Sequence, residues 1–487
     1  MANTCNDGLT PESSRRTDCH MWKHDRRRFL QLSAAASAAS ILPGSAHSAA
    51  ASHSVTLTAK PAILNIVGKP HPDTTVWSYN GTVPGPVLRA RQGERLRIVV
   101  ENKLAEPTTV HWHGLRVPNA MDGVPYITQP PIAPGQTFTY DIPLEDAGTY
   151  WYHPHFNSSV QVGRGLSGAL IVEEPNPPRV DRDLLWVLDD WRLDRKAVIT
   201  ANFANPHDLT HAGRIGNTAT VNGRVRESVP VRAGERLRLR LVNVANARSF
   251  GLRFEGLKPR IIALDGHPVA PHAPAGDMVI IASGQRAEVI LDATGKPGSR
   301  TRVIDGYYRR GAYRLLDLAY TSETPIRKEP PDWPVALRPN PLTEPKIDGA
   351  AFHTVRLEGG AMSAMLARRF RANRSSRKFW FMNGAAMTEM KTKVPPLLTL
   401  KRNTSHVLDM VNDTAFEHPM HLHGHAFRVL SVNGKADPNK PWRDTVLVPA
   451  RGRARVALHA DNPGDWMFHC HILEHQAAGM MGIVRVV

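Results

Sequence analysis

Apolar and polar residues alternate along short runs through most of this chain, the period of a strand with one face to a core and one to water. The run PGPVLRARQGERLRIVVENKL follows Asn80-Gly81, and RVRESVPVRAGERLRLRLVNVAN follows Asn222-Gly223. A fainter third run, PPLLTLKRNTSHVLDMVNDT, lies beyond Asn383-Gly384. Gly93 aligns with Gly234 and Asn102 with Asn243 at one offset, so the first two copies match there without a gap. Three copies in 487 residues predict three similar all-β domains rather than a short-period solenoid. Short strands with turn residues between them point to antiparallel sandwiches. The proline-rich PNPPRVDRD and the long TSETPIRKEPPDWPVALRPNPLTEP set the boundaries. Domains are expected over residues 51–177, 178–325 and 350–487, with a linker over 326–349 and a separate leader over 1–50. Ahead of the third copy, GGAMSAMLARRF is read as a short helix.

Composition fits this picture: 39 prolines and 36 glycines favour turns over long helices. The formal net charge of +17 is scattered rather than clustered, which reads as solubility charge and gives no nucleic-acid partner. Beyond the leader, no stretch is apolar for the ~20 residues of a membrane span. The leader itself changes the compartment. Arg26-Arg27-Arg28-Phe29-Leu30 opens an alanine-rich apolar run, followed by small residues from Ala46 to Ala51. This resembles a twin-arginine export signal, with Asp25 where Ser or Thr is usual, and implies the export machinery as a partner and the periplasm as destination. Cys5 and Cys19 fall in that leader, so the mature chain keeps Cys470 alone and no internal disulfide.

Cys470 sits in HCHILEHQAAGM, between His469 and His471 and ahead of His475 and Met480. A thiolate, two imidazoles and a thioether suit a blue-copper electron-transfer site, with His418 as the second imidazole if the chain folds back. His-x-His pairs occur at His111/His113, His153/His155, His421/His423 and His469/His471, in the first and last predicted domains only. On a strand, residues two apart share a face. Each pair therefore offers two imidazoles to one cavity, and eight would meet if those domains pack together. The same parity turns Cys470 away from His469 and His471, so that one residue's length of backbone separates a one-electron site from a multinuclear one.

The segments HWHG, YWYHPH, HPMHLHGH and HCHILEHQAAGM, in that order, are similar to the four signature segments of the multicopper oxidases, the laccase and cuprous-oxidase group. The resemblance covers the mature chain. It implies three cupredoxin-like Greek-key β-sandwiches in tandem and four copper ions. His418, Cys470 and His475, with Met480 axial, would hold the type-1 copper. His111 and His421 would hold the type-2 copper. His113, His153 and His471 would hold one type-3 copper, and His155, His423 and His469 the other. The implied reaction draws single electrons from phenolic or aromatic donors through Cys470 and reduces O2 to water. Cuprous ion is the alternative donor, although Met362, Met365, Met387 and Met390 fall short of a methionine-rich tract. Non-catalytic copper binding on the same scaffold is the rival of another class, against which the complete ligand set stands.

Asp122, in VPNAMDGVP, matches a family carboxylate near the type-2 copper and is expected to relay protons; the bland reading of Asp122-Gly123 is a tight turn. Gln476 departs from relatives with a carboxylate there. Glu417 and Glu474 read as surface carboxylates beside metal ligands, and His425 as a supporting or exposed residue. Gly163, Gly165 and Gly168 spell a dinucleotide fingerprint, but they run into a strand and read as close packing behind His153.

Overall fold

The computed structural model describes residues 52–363, 378–388 and 394–487. The expected leader with Cys5 and Cys19, most of the expected GGAMSAMLARRF helix, Met365 and Met390 lie outside the described residues.

Six sheets form three tandem cupredoxin-like β-sandwiches. In the first, one sheet runs Thr74–Tyr79, Ser52–Leu64, Arg95–Asn102 and Thr137–Pro143; the other runs Gly85–Arg91, Gly168–Glu173, Gly148–His153 and His111–His113. The middle sandwich pairs a six-stranded with a five-stranded sheet, and the last a seven-stranded with a five-stranded one. The strand that closes each sequence repeat lies parallel to the opening strand of its domain. Arg95–Asn102 pairs with Ser52–Leu64, Arg236–Asn243 with Arg182–Trp191, and Ser405–Asn412 with Ala351–Gly359.

The repeated asparagines explain why the copies resemble one another. Asn80, Asn222 and Asn383 all take left-handed φ, between 48° and 55°, as a tight hairpin turn requires. Each side-chain oxygen accepts a backbone N–H of the opening strand, from Thr58, Val187 and Arg356 respectively. Asn102, Asn243 and Asn412 each use Nδ2 to hold two loop carbonyls and Oδ1 to accept the N–H two residues on. A side chain that satisfies three buried backbone groups has no hydrophobic substitute.

The alternation misleads in one place. Arg95–Asn102 is half-buried as LRIVV-type patterning predicts, but Arg236–Asn243 is buried on both faces. Its arginines pair with carboxylates: Arg236 with Asp292, Arg238 with Glu288 and Glu174, Arg240 with Asp183 and Glu288. Thr149 of the first sandwich donates to Glu288 and accepts from Arg240. The polar face thus meets another domain instead of water. Burial alone would raise the Glu288 pKa, but the two arginines outweigh it and hold it at about 2. The connection after residue 320 is pinned as well: Asn340 exchanges two hydrogen bonds with Ala147, and Val335 buries against Ile262 and Ile290. Among the described residues, no helix is long and apolar enough to cross a membrane.

Candidate metal centre

Cys470 ends the strand Gly464–Cys470, which pairs with His418–Leu422 so that Met420 faces Cys470 and His421 faces His469. Alternation then sends neighbouring side chains to opposite faces. On one, Cys470 Sγ lies 3.5 Å from His418 Nδ1 and 3.7 Å from His475 Nδ1, with those nitrogens 3.1 Å apart. The far nitrogens are anchored. His475 Nε2–H donates to the His211 carbonyl at 2.5 Å, and His418 Nε2 meets Thr414 Oγ1 at 2.8 Å. Anchoring one ring nitrogen fixes the tautomer and leaves the other as a bare donor. Burial pushes the Cys470 thiol up and holds the His475 imidazole down at about 3. A bound cation offsets the first effect and favours thiolate.

Met480 is buried in the same cluster as Cys470 and Trp380, and its carbonyl accepts the Cys470 N–H at 3.0 Å. Met481 pairs in register with His469 and packs against Val124 and Met467. The register leaves Met480, not Met481, on the cysteine's side.

On the other face, all eight paired histidines come together, buried. Four groups of three have ligand nitrogens within 4.8 Å of one another: His113, His153 and His471; His111, His155 and His423; His421, His423 and His469; His111, His113 and His421. The set His155, His423 and His469 is not one of these trios, though its ring centroids lie 4.8–5.3 Å apart. His111 stacks on His423, and His113 on His421, each at 3.7 Å between centroids.

Do these residues fit copper? His111 Nε2, His113 Nδ1, His153 Nε2, both His155 nitrogens, His421 Nε2 and His471 Nε2 are buried with no hydrogen-bond partner among the described residues. Each orphan would cost about 1–3 kcal/mol in a purely structural core. Imidazoles with bare nitrogens converging on one cavity, most of them anchored at the other nitrogen, are a metal donor set. With the thiolate nearby, the set fits copper.

Two aspartates brace the cluster. Asp122 is fully buried; its carbonyl accepts His111 Nδ1–H and its Oδ2 accepts His423 Nδ1–H, both at 2.9 Å. Its Oδ1, 3.2 Å from His111 Nδ1, accepts no hydrogen bond. The backbone requires glycine next to it, because Gly123 has φ 81° and a Cβ there would fall 1.9 Å from the Val110 carbonyl oxygen. Asp444 mirrors it. Its carbonyl accepts His421 Nδ1–H at 2.9 Å and its Oδ1 accepts His113 Nε2–H at 3.1 Å. Arg286 of the middle sandwich then clasps both Asp444 oxygens, at 2.9 and 2.6 Å. Burial raises the Asp444 pKa, but Arg286 and the two imidazoles outweigh it and hold it well below the usual range. Ser283, also from the middle sandwich, meets His471 Nδ1 at 3.0 Å.

Sequence reasoning missed Asp444, Arg286 and Ser283. It also misread Glu474, which is 1% exposed and accepts from the Arg214 backbone and Asn246, each at 3.0 Å. Burial raises its pKa. Glu417 is exposed and bonded to Tyr307. Gln476 is buried, its Nε2 3.3 Å from Ser158 Oγ and its Oε1 unpaired. His425 is buried edge-on to Trp466, and its Nδ1–H donates to the His423 carbonyl. Gly168, in the discounted fingerprint, opens a strand; a Cβ there would lie 2.2 Å from the Tyr152 ring beside His153.

A fold of three cupredoxin sandwiches with a cysteine centre wired to a histidine cluster defines a class, and comparison with known proteins agrees. Family models described as multicopper oxidase match residues 64–177, 182–310 and 361–487. The chain is 31% identical to Laccase-1 of Botryotinia fuckeliana, over 83% of this chain and 77% of that protein. It is 29% identical to multicopper oxidase MmcO of Mycobacterium tuberculosis, over 87% and 85%. A multi-copper oxidase from Pseudomonas thermotolerans superposes with TM-score 0.80 at 35% identity, covering 90% of this chain and all of that one. The chain belongs to the multicopper oxidase family, whose members are copper-dependent oxidoreductases that use O2.

Proposed function

We propose that the protein couples one-electron oxidation of phenolic and aromatic donors, in laccase fashion, to four-electron reduction of O2 to two waters. His418, Cys470 and His475, with Met480 beside them, would hold the type-1 ion; His111 and His421 would hold the type-2 ion; the remaining six histidines would hold a type-3 pair. When bound, copper supplies one-electron redox at the cysteine and multi-electron oxygen chemistry at the cluster. The residues do the rest. The His469–Cys470–His471 backbone joins the two sites covalently. Asp122 would pass protons at its unpaired Oδ1 beside His111 while its Oδ2 orients His423. Arg286 keeps Asp444 ionised as a brace. The observation that carries the reading is the set of orphaned imidazole nitrogens converging opposite Cys470. Export by the twin-arginine route to the periplasm completes the proposal, since that route carries chains already folded.

One observation favours cuprous ion as donor: His475 is fully buried, with its outer nitrogen bonded to the His211 carbonyl, so no bulky phenol touches the ring. Oxygen uptake by the copper-loaded, leaderless protein separates the readings. Brisk uptake with a phenol and no added copper supports laccase-like turnover. Uptake with cuprous ion alone supports the second reading, and uptake with neither ends both.

A further inference from the structure

His475 is covered, but the other imidazole beside Cys470 is approached from the middle sandwich. A cavity of about 540 Å³ opens on that sandwich, a size that holds a small aromatic ligand. Ile215, Leu315 and the Tyr308 ring give it apolar walls, and Arg248 and Arg314 supply charge. Tyr308 meets Tyr307 edge-on, with ring centroids 5.0 Å apart. The Tyr307 hydroxyl donates to Glu417, the residue before His418. One ring contact, one hydrogen bond and a short stretch of chain thus join the cavity wall to a ligand of the cysteine centre.

The charge of this cavity selects its occupant. Arg248 is committed, with Nε on Asp190 and Nη2 on the Gly216 carbonyl, both at 2.9 Å. Arg314 gives Nη1 to Asp317 at 2.9 Å, and its side chain is 47% exposed. Its Nε and Nη2 donate no hydrogen bond among the described residues. That edge of a guanidinium is the fork that takes a carboxylate through two parallel hydrogen bonds. No carboxylate lines the cavity among the described residues. Arg224 and Arg310, next to the lining residues Val225 and Gly311, are exposed and form no ion pair among the described residues.

We infer that this cavity binds phenols that carry a carboxylate, with the carboxylate on Arg314 and the ring against Tyr308. Their electrons then reach the cysteine centre through Tyr307 and Glu417 to His418, on the side away from the His475 cover. The inference rests on the reading of the chain as an oxidase of phenolic donors. In each event the bound phenol loses one electron to that centre and its hydroxyl proton to water, and leaves as a phenoxyl radical. Four such events, with four protons taken up at the cluster, balance one O2 reduced to two waters.

The test uses syringate, an oxidisable phenol with a carboxylate, and its O-methyl ether, which keeps the carboxylate but has no hydroxyl to lose. The ether, titrated calorimetrically into the copper-loaded holoenzyme, should bind once per chain. Arg314→Gln should weaken it by about tenfold or more, the loss of one hydrogen bond to a charged group. Replacing its carboxylate by the neutral amide should weaken binding to the wild type by the same factor. Tyr307→Phe removes the hydroxyl that reaches Glu417; it should leave that affinity in place and slow the anaerobic bleaching of the blue absorption by syringate. Blue absorption retained in both variants before syringate is added would show that the Cys470 centre is intact. Affinity equal to wild type in Arg314→Gln overturns the site, and bleaching at the wild-type rate in Tyr307→Phe overturns the route. Absence of O2 uptake with every donor would instead overturn the oxidase reading, independently of the titration.

Discussion

Two corners of the histidine cluster are built alike and set differently. At each, an aspartate carbonyl holds one imidazole and its carboxylate holds another: His111 and His423 at Asp122, His421 and His113 at Asp444. The stacked pairs His111–His423 and His113–His421 complete the correspondence. The difference is a guanidinium. Arg286 saturates Asp444, whereas Asp122 keeps an oxygen with no partner. A carboxylate locked to a buried cation on both oxygens has no atom left to pass a proton on, whereas one with a free oxygen does. One architecture therefore yields a brace at Asp444 and, in the proposed function, a relay at Asp122, and the middle sandwich makes the distinction although it carries none of the candidate ligands.

The largest expected effect lies at the brace. Asp444→Ala leaves Arg286 buried with only the more distant Asp265 carboxylate, 3.9 Å away, as a charge partner and should cost about 3–5 kcal/mol in urea unfolding. A loss below about 1 kcal/mol would erase the distinction between the corners. Asp122→Asn keeps an oxygen to accept His423 Nδ1–H, so stability should hold while O2 uptake falls about 100-fold with the blue absorption retained; unchanged uptake would sink the relay.

The acid limb sharpens the contrast further. The folded pKa of Asp444 is depressed, so its stabilisation is present above the ordinary value of about 3.9 and is lost as pH falls through its lower folded value. In Arg286→Met, burial dominates and raises that pKa, so this group's contribution should instead decline as pH rises past about 4. Urea midpoints across pH 3–6, roughly the range spanning those values, would show the change of slope, and parallel curves would refute it. Glu474→Gln should matter least, about 1–2 kcal/mol at neutral pH, because the single amide oxygen keeps only one of the two bonds from the Arg214 N–H and Asn246 Nδ2. A larger loss would mean that its charge is needed.

The elements legible in the sequence are those whose logic is local. Period-two alternation put His111 with His113 on one face and turned Cys470 from its neighbours, and the Asn-Gly turns marked the repeats. What failed was non-local. Asp444 meets His113 across 331 positions, and no spacing rule links RDTV to HWH. LRLRLV read as half-exposed because nothing in it reveals that another domain covers its arginines. Glu474 read as solvated because its partners, Arg214 and Asn246, come from the middle domain. Met362 is exposed, while Met387 packs against the group of Val124, Met467 and Met481, a difference that their shared spacing does not reveal. Asp122 was found, but only through the family resemblance; its unpaired oxygen is a fact of three dimensions.

The most direct test of the central claim is copper content and visible absorption of the loaded protein beside Cys470→Ser. The account predicts four ions and intense blue colour in the wild type, and three ions, no blue colour and no O2 uptake in the variant. A variant that stayed blue, or that consumed O2 at the wild-type rate, would contradict it.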